Sequence, residues 1–260
     1  MPLISVIIPC YNQGQYLAES IGSALASDYQ ELEIIVVDDG STDPETIALL
    51  DQLAYSKTRL IRQENRGLAA ARNWGIAEAQ GTYILPLDAD DRIGPQYISQ
   101  AVAALEADPE LGIVYCYAEK FGAADGPVTA LPFTHGRMRF SNLIFCSAIF
   151  RKSDWELVGG YKPEMLYGCE DWEFWFSLLE LGRGVLKLPF AGFYYRIREG
   201  SMNSEMDRKK RLAMHRLIVA RHPVMFPRWF PLILPVYYAV INSLPYRLLK
   251  RSGLPGKELS

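Results

Sequence analysis

Residues 3–117 of this 260-residue chain predict an α/β fold, a mostly parallel sheet flanked by helices on both faces. Two observations carry that expectation. Short, β-branched apolar runs alternate with segments whose apolar residues recur at helical spacing, and the connections are short; parallel neighbours need helical crossovers of this kind. Polar clusters also stand directly after three of the runs, and ligands of such sheets bind beyond the carboxyl ends of the strands.

Residues 3–9 (LISVIIP) are short, β-branched and bounded by a proline, and read as a buried strand. After Tyr11-Asn12-Gln13-Gly14, Leu17, Ile21 and Leu25 recur every four residues, which is helical. Residues 33–38 (EIIVVD) form a second strand, and Asp43 before Pro44 reads as an N-cap opening a helix to about residue 54. A third strand is expected at 59–63, an alanine-rich helix over 68–79, a fourth strand at 83–87, a helix over 95–106 and a fifth strand at 113–117. Residues 122–145, rich in Gly, Pro and Thr, read as a surface loop. Residues 146–151 are strand-like, and Ser153 with Glu156 reads as a capping box for a short helix ended by Gly159-Gly160. Gly168-Cys169-Glu170-Asp171 opens an apolar helix closed by Gly182, and two more short strands follow at 185–188 and 193–196.

Apolar residues make up 49% and charged residues 22% of the chain, enough to bury a core, which excludes a disordered, collagenous or disulfide-scaffold protein. Cys10, Cys116, Cys146 and Cys169 form no C-x-x-C pair, and with three histidines a zinc site is not expected; a reduced, intracellular setting is. Met1 leads straight into an apolar run without a basic n-region, so no signal peptide is expected. The net charge of −3 hides an asymmetry: residues 1–195 hold 14 Lys/Arg against 26 Asp/Glu, and residues 196–260 hold 13 against 4. An acidic body with a basic tail is a statement about partners.

The three polar clusters are Pro9-Cys10-Tyr11-Asn12, Asp38-Asp39-Gly40-Ser41 and Asp88-Ala89-Asp90-Asp91, which gather five carboxylates on one rim. Alternate residues of an extended chain share a side, so Asp88 and Asp90 can face one point and hold a hard divalent cation, Mg²⁺ or Mn²⁺. A solvated Asp-rich turn is the plainer reading. Asp39 suits hydrogen bonds to a base or ribose, or a turn and helix cap. Arg66 and Arg72 suit an anionic ligand, or simply the exposed side of a helix. Glu170 and Asp171 complement the dipole of the helix they open; the same placement suits a general base held on a rigid element.

In this order the segments closely resemble family 2 glycosyltransferases, inverting enzymes of the GT-A fold. The matching stretches are Ser5-Val6-Ile7-Ile8-Pro9-Cys10-Tyr11-Asn12, Val36-Val37-Asp38-Asp39-Gly40-Ser41-Thr42-Asp43, Arg66-Gly67 through Arg72-Asn73, Asp88-Ala89-Asp90-Asp91 and Glu170-Asp171, within residues 3–200. The resemblance implies that Asp39 contacts the nucleotide base, usually uracil, near the main chain of Pro9 and the ring of Tyr11. It implies Arg72 at the base or nearby phosphates, Asp88 at the ribose or a metal-bound water, and Asp90 on the metal bridging the diphosphate. Asp91 could join either task. Asp171 matches the family's catalytic base, with Glu170 beside it. The donor would be a nucleoside-diphosphate sugar, a UDP-sugar by preference, used with Mn²⁺ or Mg²⁺, and the acceptor a hydroxyl of a glycan or lipid-linked molecule. The expected organisation is a GT-A catalytic domain over residues 1–205 and a basic, aromatic helical appendage over 206–260. Acceptor recognition is expected from 122–145 and from around Tyr167 and Trp172.

One departure stands out. Where many members carry a histidine in a segment closing over the diphosphate, this chain has Tyr195-Arg196-Ile197-Arg198-Glu199-Gly200-Ser201. Arg198 can meet phosphate and cannot ligate a metal.

Residues 229–246 (WFPLILPVYYAVINSLPY) lack any charged side chain, and the stretch from Arg208 to Arg251 around them holds ten basic residues and no acidic one. A spanning helix needs about 20 apolar residues, and three prolines interrupt this one. Docking at a membrane interface is the expectation for residues 208–251, which places the protein in the cytoplasm at the face of a membrane. A dimer-forming tail and a helix packed on the body are the rival readings. Nucleic acid is not an expected partner, because the body is acidic and the aromatics cluster apart from the charges. The rival functions are a sugar-phosphate nucleotidyltransferase, which would need a Gly-rich phosphate loop near the first strand, and a scaffold that binds nucleotide sugar without turning it over.

Overall fold

Strand β1 (Ile4–Cys10) is buried throughout and apolar except for Ser5, whose hydroxyl donates to Glu33, because both of its faces are covered: Ile4, Val6 and Ile8 enter one core and Ile7 the other. This is the period-2 alternation of a strand buried on both sides. The computed structural model describes residues 1–129, 131–198 and 206–241. Beside β1 lie β2 (Leu32–Asp38) and β4 (Tyr83–Pro86), with β3 (Thr58–Arg62) beyond β2, all parallel. Helices α1 (Gly14–Leu25), α2 (Pro44–Asp51), α3 (Leu68–Glu78) and α4 (Tyr97–Ala107) follow the expected order. The Asp43 carboxylate accepts from the Thr46 N–H at 2.9 Å, so the expected N-cap of α2 forms. Leu17, Ile21 and Leu105 fill one core and Ala71 and Ile76 the other, so α1 and α4 cover one face of the sheet and α3 the opposite one.

The remaining strands are β5 (Arg92–Ile93), β6 (Leu111–Gly122), β7 (Gly126–Pro127), β8 (Ile149–Arg151) and β9 (Gly184–Ile197). Among the described residues the sheet runs β3-β2-β1-β4-β8-β6-β9-β5, with β7 on β6. β8 is antiparallel to both β4 and β6, so the fifth expected strand is separated from the parallel block by one reversed neighbour.

Three local expectations are corrected. The two late strands are one 14-residue strand, because Pro189, which cannot donate to a ladder, sits in an irregularity where the register jumps from Tyr115↔Lys187 to Tyr117↔Ala191. The stretch 122–145 is not all loop: it contains β7 and α5 (His135–Met138), the latter capped by Thr134. The Ser153–Glu156 capping box does not form. Helix α6 (Lys152–Val158) begins directly from β8, since the Lys152 N–H is taken by the Thr82 carbonyl, and Ser153 falls inside its first turn.

Helix α7 (Glu170–Glu180) is nearly all buried, and the tail explains why. Helices α8 (Arg208–Arg221) and α9 (Phe230–Ile241) bury Ile218, Phe230, Leu234 and Tyr238 in the same core as Trp172 and Phe176. His215 is wholly buried, between the Arg139 carbonyl (2.8 Å) and Tyr238 Oη (3.1 Å), and burial pushes it down to about 4, so it is neutral. The buried Glu173 on α7 pairs with Arg221 (2.8 Å) and His222 (3.2 Å). Residues 242–246 of the uncharged stretch lie outside the described residues.

Candidate active site

Register brings the polar clusters together. Cys10 is level with Asp38, the Asp39 N–H donates to the Cys10 carbonyl (2.9 Å), and the Leu87 N–H donates to the Ile7 carbonyl (2.9 Å), so three strands end on one rim. Asn12 ties two of them. Its Oδ1 accepts from the N–H groups of Thr42 (2.8 Å) and Asp43 (2.9 Å). Gly40 adopts φ +70° and passes so close to Asn65 that a Cβ would lie 2.6 Å from its backbone nitrogen.

Asp39 is buried and its carboxylate is well occupied. It accepts from Gln63 Nε2 (2.6 Å), the Arg66 N–H (2.9 Å) and the Gly67 N–H (2.9 Å), which fixes the entry to α3. Pro9 is buried beside it on β1, and the Tyr11 ring stands 45% exposed at the end of that strand, open to a planar ligand.

Arg72 is placed differently from the expectation of a nucleotide contact. It is 1% exposed and its guanidinium bridges Asp88 Oδ1 (2.6 Å) and the Glu170 carboxylate, with its carbon 5.6 Å from the Tyr161 ring centroid. Helix α3 can lie this close because Gly75 faces the sheet: a Cβ there would meet Ile7 Cγ2 at 2.5 Å. Arg72 thus joins the D-x-D segment to the Glu-Asp pair.

Asp171, at the start of α7, accepts from Asn142 Nδ2 (2.8 Å) and from the Trp172 N–H (2.8 Å). Burial and the neighbouring Glu170 push its carboxyl up to about 7, against the pull of Arg72. Neither Asn142 nor Cys146, whose Sγ lies 3.5 Å from Asp88 Oδ2, was marked by sequence pattern. Both lie in the irregular connection before β8, which begins at Ile149 and not at the expected Cys146, and no motif signals a role for either.

The acidic segment divides. Asp90 Oδ2 accepts from Arg198 Nε at 2.5 Å, while the Asp91 Oδ1 accepts from the Arg196 N–H at 2.8 Å. Asp91 Oδ2 is buried without a hydrogen-bond partner among the described residues. Oxygens of Asp88 and Asp91 and the Cys146 sulfur lie within 4.8 Å of one another, so Asp91 converges with Asp88 where Asp90 was expected to. Burial, then Asp88, raises the Asp90 carboxyl; burial, then Asp88 and Asp90, raises that of Asp91 much further. An orphaned carboxylate oxygen among crowded acids fits a divalent cation, which would supply the missing positive charge.

The doubly covered, parallel-rich sheet with acidic loops at its carboxyl rim is similar to that of GT-A glycosyltransferase structures. The chain belongs to the glycosyl transferase family 2, whose model matches residues 5–168. It is 32% identical over 200 residues to an uncharacterized glycosyltransferase of Rickettsia typhi, an alignment covering 69% of this chain and 59% of that one. The chain spans 59% or less of the length of the curated relatives it matches. Its fold is similar to S. aureus TarS 1-349 in complex with UDP-GlcNAc (TM-score 0.71, 23% identity, 84% of this chain and 66% of that). It is also similar to the mannosyltransferase PcManGT of Pyrobaculum calidifontis in complex with GDP-Man and Mn²⁺ (TM-score 0.65, 21% identity, 97% and 79%).

Proposed function

We propose that the protein is an inverting glycosyltransferase that moves a sugar from a nucleoside-diphosphate sugar, by preference a UDP-sugar, to a hydroxyl of a glycan or lipid-linked acceptor. The observation that carries this reading is the Arg72 bridge, whose buried guanidinium joins the half-buried, donor-side Asp88 to the buried, base-side Glu170.

Asp171 takes the proton of the acceptor hydroxyl. The oxygen forms a bond to the anomeric carbon on the face opposite the nucleotide, and the electron pair of the breaking carbon–oxygen bond leaves with the nucleoside diphosphate. A carboxyl whose midpoint lies near 7 is matched to that task, since general bases work best close to the operating pH. Asp88, Asp90 and Asp91 would hold Mn²⁺ or Mg²⁺, and the ion's charge, when bound, stabilises the departing diphosphate. Arg198, beside Asp90, brings a second positive charge to the same rim. Tyr11 and Asp39 would receive the base, Tyr11 by its open ring and Asp39 by shaping the 63–67 turn.

Within this reading residues 1–205 are the catalytic domain and 206–260 an appendage that docks on the cytoplasmic face of a membrane. No described helix is long and apolar enough to cross one. Support for surface docking comes from Leu232, Val236 and Val240, exposed at four-residue spacing along α9, with Trp229 just before it and Arg228 adjacent.

Thermal unfolding with UDP, GDP or TDP, each with and without Mn²⁺, tests the donor site on wild type and Asp90→Ala. Ligand at 100 times its Kd stabilises by about 2.7 kcal/mol. One nucleotide is expected to give this shift only with both Mn²⁺ and Asp90. No shift with any nucleotide overturns the reading in favour of a different site chemistry.

A further inference from the structure

Asn142 belongs to the connection between α5 and β8. Its side-chain amide donates to Asp171 Oδ2 at 2.8 Å, while its own Oδ1 accepts from the Ile144 N–H at 3.3 Å, which turns the amide toward the carboxylate. The other oxygen of Asp171 is fixed by the backbone of its own helix. One side chain, reaching across from a loop, therefore sets the direction of Oδ2.

The loop is itself held from outside. His215 Nε2 meets the Arg139 carbonyl at 2.8 Å, Tyr237 Oη donates to the Phe140 carbonyl at 3.0 Å, and Arg139 Nε donates to the Met225 carbonyl at 2.5 Å. The Phe140 ring packs on Phe230 and Tyr237, with centroids 5.0 and 5.3 Å away. These contacts all come from the C-terminal helical pair and the turn within it, two or three residues before Asn142 in the chain.

We propose that Asn142 is the positioning residue of the catalytic base, and that α8 and α9 keep it in place by gripping Arg139 and Phe140. This rests on the reading of Asp171 as the base. A neutral amide donor favours the ionised carboxylate without adding a charge, and Oδ2 retains a second lone pair for the acceptor hydroxyl. The charged or titratable groups facing Asp171 are Glu170 and Cys169 at the start of its own helix, Arg72 from α3, Asp88 after β4, Tyr161 after α6 and Cys146 before β8. Arg72 is the cation of this set, and two carboxylates share it. Asn142 is thus the neutral donor that the loop adds. The appendage then acts on the reaction through the base, whatever else it touches.

Carbon-13 spectra of the full chain carrying carboxyl-labelled aspartate test this without a known acceptor. The Asp171 resonance is assigned by its loss in Asp171→Asn and followed over roughly pH 5 to 9. Asn142→Ala is expected to raise its midpoint by about one unit, a tenfold change. The isosteric Asn142→Asp, which keeps the fold-filling volume but replaces a donor by an anion, should raise it further. Tyr237→Phe should raise it by less, in the same direction. An unchanged midpoint in Asn142→Asp overturns the proposal, as does one that moves downward. Release of UDP from UDP-GlcNAc is read separately: full release by Asp171→Asn removes the base assignment itself and leaves the spectra as an independent measure of the Asn142 contact.

Discussion

Arg72 on α3 and Glu170 at the start of α7 stand 98 residues apart in sequence and form an ion pair with both side chains buried. Asp88 completes it from the far side of the guanidinium. Two acids share one buried cation, so the segment after β4 and the start of α7 are held in fixed relation by a group that neither of them carries.

Removing that cation should be severe. Arg72→Met leaves Asp88 and Glu170 without their shared partner, and breaking a buried pair from one side costs about 3–5 kcal/mol. Urea unfolding of Arg72→Met should show a loss of this size, and Arg72→Met/Glu170→Met should recover part of it. A loss below about 1 kcal/mol would mean that the three groups are solvated in solution.

Asp171→Asn should abolish transfer while leaving nucleotide-induced stabilisation intact, since a positioned base contributes on the order of 10²–10⁴ in rate. Equal loss of both would place Asp171 in the donor site instead.

The same substitution should stabilise the protein at neutral and higher pH. The Asp171 carboxyl is raised to about 7 in the fold against 3.8 for the ordinary group, so between those values the native state binds the extra proton. Its contribution is fully present below about 4 and is lost as pH rises through 7. Melting temperatures of Asp171→Asn and wild type should therefore agree below about pH 4, diverge progressively between about 4 and 7, and stay a constant several degrees apart above 7, at about 2–4 °C per kcal/mol. Parallel curves across the range would contradict the raised midpoint.

Asp91→Asn addresses the proposed metal role of the Asp88, Asp91 and Cys146 cluster. Burial and the adjacent acids disfavour the Asp91 carboxylate, so the variant should melt higher than wild type in EDTA and should lose the stabilisation that Mn²⁺ gives wild type. Equal responses to Mn²⁺ would exclude Asp91 from the ligand set.

The outer and inner faces of α9 should separate in their effects. Leu232→Asp/Val236→Asp alters exposed positions and should change stability by no more than roughly 0.5 kcal/mol per substitution, yet abolish co-sedimentation with phosphatidylserine vesicles. Phe230→Ala, in the core, should cost about 3–5 kcal/mol. Vesicle binding that survives the double substitution would favour a packing or pairing role for the tail.

Much of the fold was legible because its signals are local. The β-branched runs that became β1 and β2, the Asp43 cap with Pro44 and the helical spacing of Leu17, Ile21 and Leu25 involve neighbours in the chain, whose preferences are set by backbone sterics and burial on one face. The Asp88–Asp91 segment was legible for the same reason: four adjacent residues carry it. Pro189 misled because a proline normally ends a strand, and only the neighbouring β6 lets an irregularity absorb it. Ser153 misled because β8 runs straight into α6 and leaves the cap position to Arg151.

By itself, then, the chain's order of residues determined the layered α/β architecture, the acidic rim at the strand ends and the basic, uncharged-centred tail. The tertiary structure alone decided that Arg72 bridges two acids, that Asp91 rather than Asp90 converges on Asp88 and Cys146, and that Asn142 meets Asp171. The physical reason is one of range. Hydrophobic period and turn chemistry act between residues a few positions apart, whereas the partner of a buried charge is whichever group close packing brings within about 3 Å of it.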